Sequence, residues 1–95
     1  MSLFVVQHRH AADHCPLEDP NMGPLLREQL SKKNQAAHHI TIQGEAVVDG
    51  AHALYMILDA PDQERVDQFM SPFNKVGSVE IFPAHPYESM LGEME

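Results

Sequence analysis

Residues 3–15 read LFVVQHRHAADHC, and both the fold and the candidate chemistry turn on this stretch. Leu3, Phe4, Val5 and Val6 are apolar without alternation. Neither side of such a segment is fitted to water, which is the pattern of a central strand buried on both faces. Donor atoms follow at once, with His8, His10, His14 and Cys15 falling within eight residues. His8 and His10 belong to the same face because strand side chains alternate with period two. A His-x-His pair on a strand can offer two imidazoles to one ion, and a turn carrying His14 and Cys15 can fold back over it.

The surrounding chain sets limits on what this stretch can be. With 95 residues there is material for one hydrophobic core, so residues 1–95 read as a single domain with residues 86–95 as a tail. A hydrophobic share of 43% against 21% charged argues for a folded globular chain. Six basic and 14 acidic residues give a net charge of -8, which repels nucleic acid and anionic membrane alike. No apolar run approaches the ~20 residues of a membrane span, and the opening residues lack the basic-then-apolar pattern of a secretory leader, so the expected location is the cytoplasm. The single cysteine has no internal disulfide partner and is expected as a free thiol, an intermolecular link or a ligand.

Downstream the pattern is βαββαβ. Pro16, Pro20 and Pro24 punctuate a turn-rich segment that ends at a helix start, with Asn21 or Gly23 as cap and Pro24 in the first turn. Leu25, Leu26, Gln29, Leu30 and Lys33 then step at helical spacing, with Lys32 and Lys33 suited to the C-terminal end of the dipole. Residues 38–49 alternate as a second strand, placing Ile40 and Ile42 on one face. Asp49-Gly50 predicts a two-residue hairpin turn. The third strand, residues 53–59, has the core LYMIL and is again apolar on both faces. Pro61 opens a second helix whose Val66, Phe69 and Met70 form its inward stripe before Pro72. Residues 78–83 alternate as a last strand.

These elements predict an α+β, ferredoxin-like fold: a four-stranded antiparallel sheet in the order 4-1-3-2 with two helices on one face. Two helices leave one sheet face bare, yet strands one and three look buried on both. A second copy packing sheet to sheet, as in a dimeric α+β barrel, resolves the conflict, since apolar surface left wet forfeits about 25 cal/mol per Å².

Residues 54–62, LYMILDAPD, continuing to Val66, resemble the third strand and second helix of small stand-alone ferredoxin-like proteins in a domain-of-unknown-function family with some nickel-binding members. The first strand ending in His8 is similar to that family's first strand. Where the family can place a cysteine in the third strand, this chain has Met56. The approach from Pro72-Phe73 to Gly77 and the last strand is similar to the YciI-like proteins, another branch of the same barrel. The resemblance implies the dimeric barrel fold and, as expectations, either metal binding or an enzymatic role.

The predicted topology brings the end of the first strand to the start of the third, so His10 and His52 should be neighbours. The expected function is a small cytoplasmic homodimer that binds a transition metal, nickel, zinc or copper, through His8, His10, Cys15 and His52, with His14 as a weaker candidate. Two alternatives stand beside it. One is a small-molecule-binding or enzymatic barrel, YciI-like or monooxygenase-like, with His8 or His10 as acid/base and Val6, Tyr55 and Met56 lining a sheet-to-sheet cavity. The other is an interaction module without a ligand. His38, His39 and His85 are expected to be structural or surface residues. No phosphate loop, nucleophile triad or paired-carboxylate motif points to a named reaction.

Overall fold

The computed structural model describes residues 2–10 and 21–87. Four strands, β1 (Ser2–Arg9), β2 (Thr41–Val48), β3 (Ala53–Ala60) and β4 (Ser78–Ala84), form one antiparallel sheet in the order β2-β3-β1-β4. With helices α1 (Met22–Gln29), α2 (Lys32–Ala37) and α3 (Gln63–Met70) between them, this is the ferredoxin-like α+β arrangement expected from the sequence. Among the described residues no helix is long and apolar enough to cross a membrane.

β1 is central because its residues can be buried while bonded on both edges. Val6 pairs with Met56 of β3 on one side and with Ile81 of β4 on the other. Phe4, Val6, Met56 and Leu58 enter a core shared with Leu26 of α1, Val66, Phe69 and Met70 of α3, and Phe73. α3 follows from its sequence directly. Asp62 caps it by accepting from the Arg65 N–H (2.9 Å), and the stripe at positions 66, 69 and 70 is fully buried.

The other face of the same strands is only partly covered. Val5 of β1, Ile57 of β3 and Phe82 of β4 stand in register across it, and Ile57 and Phe82 remain 45% and 46% exposed. In the single chain, then, β1 and β3 are buried on one face, where the sequence pattern predicted both.

Four other expectations change. The first helix is two helices, because Ser31 ends the stretch and caps α2 by accepting from the Asn34 N–H (3.2 Å). Lys32 and Lys33 therefore begin a helix instead of ending one. The Asp49-Gly50 link is a 3-10 turn, Asp49–Ala51, and His52 just after it, at φ 49°, takes the left-handed conformation. β2 starts at Thr41, and before it His38 is the C-cap of α2, its ring 5.6 Å from that of Phe69, with His39 in the turn that follows. After α3 the chain does not stop at Pro72 but tightens into a 3-10 segment, Ser71–Val76, that leads to Gly77.

A candidate imidazole site at the end of the central strand

β1 carries His8 to the edge of the core. It is the buried polar residue among the described ones, 2% exposed, and lies on the same face as Phe4 and Val6. A buried polar ring needs a partner, and the 3-10 segment after α3 supplies it: His8 Nε2 lies 3.1 Å from the Phe73 carbonyl oxygen. A carbonyl only accepts, so Nε2 carries the proton and Nδ1 keeps the lone pair. The Phe73 ring meets His8 edge-on at 5.1 Å. Burial pushes the His8 imidazole below its ordinary value, backbone groups of Phe73 and Val76 oppose that, and repulsion from His10 adds to the lowering. His8 is therefore neutral at pH 7.

His10 stands two residues on, with its ring 5.9 Å from that of His8 and 5.3 Å from that of His52. The neighbourhood of His10 and His52 expected from topology is present, and the backbone closes it: the His10 N–H donates to the His52 carbonyl at 3.2 Å. Both ring nitrogens of His10 are buried and lack a hydrogen-bond partner among the described residues. A group left so costs about 1–3 kcal/mol. Burial lowers the His10 imidazole, and repulsion from His52 lowers it further, so it too is neutral at pH 7. Three imidazoles thus run in a row along the end of β1 and the start of β3.

Among the described residues no three histidine, cysteine or acidic side chains form a group able to hold a metal. His14 and Cys15, the remaining candidates, lie outside the described residues, as do most of the tail residues 86–95. His8 and His10 have the donor chemistry for a borderline transition ion, and a full set would require one of those two or a partner chain.

Of the residues expected to line a sheet-to-sheet cavity, Val6 and Met56 turn inward and Tyr55 lies on the open sheet face. Val6 and Met56 are packed in the core, fully screened by the elements above them. Tyr55 alternates to the opposite face, where its hydroxyl donates to the Gln7 amide oxygen at 3.2 Å. An apolar cavity lies beside the imidazoles: about 310 Å³, bordered by His8, His10, Leu26, Leu30, Leu54 and Phe73. Arg27 and Glu45 also reach it. The leucine stripe of the first helix was legible, and what the spacing could not tell is that Leu26 and Leu30 stop short of filling the space next to His8.

The site defines a class: an α+β sheet protein with neutral imidazoles at one end of its central strand, next to an apolar cavity. Comparison with known protein families, curated proteins and solved structures found no match.

Proposed function

We propose that this chain is a transition-metal-binding protein that uses His8 and His10 with His52 and, from the segment outside the described residues, Cys15 or His14. One observation carries this: His8 Nε2 is held 3.1 Å from the Phe73 backbone carbonyl, which puts the ring proton on Nε2 and the lone pair on Nδ1, the arrangement by which metal-ligating histidines are oriented. The partnerless nitrogens of His10 beside it support the same conclusion, since a bound ion relieves one of them. Nickel, zinc and copper all accept imidazole and thiolate, and the resemblance of residues 54–62 to a family with nickel-binding members favours testing nickel first. The protein works as a homodimer through the open face of β1, β3 and β4, where Val5, Ile57 and Phe82 would be covered, and a lone thiol suits the reducing cytoplasm.

The deciding measurement is thermal unfolding of untagged protein with each ion. An ion at ~100 times its Kd should add about 2.7 kcal/mol of stability. A melting temperature indifferent to nickel, zinc and copper would leave the second reading. That reading rests on the cavity: about 310 Å³ lies at the lower end of the ~300–1,000 Å³ of small-ligand sites, and two neutral imidazoles at its wall can exchange a proton with a bound molecule. Chemical-shift changes confined to the cavity wall on titration with small phenols would support it, and their absence would remove it.

A further inference from the structure

We infer that Gly77 is a positioning residue for this site: its bare backbone lets the Ser71–Val76 segment close onto the end of β1, so that the Phe73 carbonyl holds His8 in the Nε2–H form and leaves Nδ1 as the donor atom. The inference rests on His8 acting in the site proposed above, but the form of its ring belongs to the ligand-free protein and can be read without any ion.

Gly77 has φ 152° and ψ -158°, a region closed to side chains other than glycine's. Conformation is half of the constraint. A Cβ at this position would lie 2.0 Å from the Arg9 carbonyl oxygen and 2.8 Å from His8 Nε2. Both atoms are fixed, since Arg9 is paired with Ala53 and with Ser78, and Nε2 is the atom that bonds to Phe73. Any side chain at 77 would therefore strike the nitrogen whose proton the Phe73 carbonyl accepts. Relief requires the segment to lift off β1, and lifting carries that carbonyl away. Phe73, buried at 3% exposure and edge-on to the His8 ring, seats the other end of the same segment, so the hydrogen bond is held from both sides. Without it, a neutral imidazole exchanges its proton between the two nitrogens, and Nδ1 is blocked for part of the time.

The test is a long-range proton–nitrogen correlation spectrum of the histidine rings of the ligand-free full chain at pH 8, with His8 assigned by loss of its signals in His8→Gln. In the wild type His8 should show one form, with the proton on Nε2. Gly77→Ala, checked for folding by circular dichroism, should show a mixture or the Nδ1–H form, and its nickel affinity should fall about 10–100-fold, as on loss of a group that orients a ligand. Lys75→Ala, exposed on the same segment, should change neither. A His8 ring protonated on Nδ1 in the wild type overturns the inference, and so does a folded Gly77→Ala that keeps the Nε2–H form, whatever its affinity. If Gly77→Ala does not fold, the wild-type spectrum alone decides. A wild type with the expected ring form that binds no nickel refutes the metal function and leaves the role of Gly77 standing.

Discussion

The two faces of β1 are built from neighbouring residues and have opposite fates. Phe4, Val6 and His8 are buried under the remainder of the chain, while Val5 and Gln7, one step along, look onto a face where Ile57 and Phe82 stay nearly half exposed. The buried face answers to folding, and the open one is the face proposed above for association. A continuously apolar strand records both demands at once, which is why its sequence alone announces two-sided burial that a single chain satisfies only on one side.

The sharpest way to break the comparison is to place the same charge on each face. Val6→Glu leaves an unpaired carboxylate in a site with 0% exposure and should cost more than about 4 kcal/mol, enough to unfold the chain in a denaturant titration. Ile57→Glu should leave the folded monomer within about 1 kcal/mol of the wild type yet abolish the dimer in light scattering. An Ile57→Glu protein that still dimerises would move the interface elsewhere. Next in size is Phe69→Ala, which empties a fully buried ring site between α3 and the sheet and should cost about 3–5 kcal/mol by the same titration.

The histidines repeat the contrast on a smaller scale. His8→Ala strips the Phe73 carbonyl of its partner and should destabilise the metal-free protein by about 1–3 kcal/mol. His10→Ala removes two nitrogens that have no partner among the described residues and should leave the metal-free melting temperature unchanged or higher, while metal affinity is lost. Equal losses of stability from the two substitutions would show that the rings are held alike.

The smallest effect is that of pH. The folded-state values of His8 and His10 lie below the ordinary ~6.5, so in the window just under that value the unfolded chain takes up protons that the folded one refuses. Stability should be full above about pH 6.5, fall as pH drops from there towards the lowered folded values, and level off below them. Metal affinity should decline over the same range because imidazole must be neutral to bind. A stability curve flat from pH 7.5 to 5.5 would contradict the burial of both rings.

Much of the fold was legible because its signals are local. Alternation in β4, the continuous apolar runs of β1 and β3, and the stripe of Val66, Phe69 and Met70 each name an element without reference to the rest. The division of the first helix was legible too, since Ser31 is a capping residue three places before Asn34, but the leucine steps on its N-terminal side outweighed it. The Asp49-Gly50 pair misled for a different reason: a turn signal gives propensity, and pairing of β2 with β3 placed the left-handed residue at His52 instead. In the candidate site, period two placed His8 with His10 and topology placed His10 with His52. The partner of His8 was beyond reach, because it is a backbone carbonyl 65 residues away and carries no side-chain signature.

The sheet order also has a consequence for how the chain acquires its shape. β1 is made first but is flanked by β3 and β4, with Leu3 opposite Ala84. The β2-β3 hairpin can form as soon as its own residues exist, whereas β1 must wait for β3 before it has one edge and for nearly the last described residues before it has two. Its closing contacts span almost the whole sequence, and such long loops slow folding. The rate-limiting event should therefore be the docking of β4 along β1, and until then the strand that carries His8 is held by one neighbour only. Mutations in β4 should slow refolding, while those in the β2-β3 turn should chiefly speed unfolding.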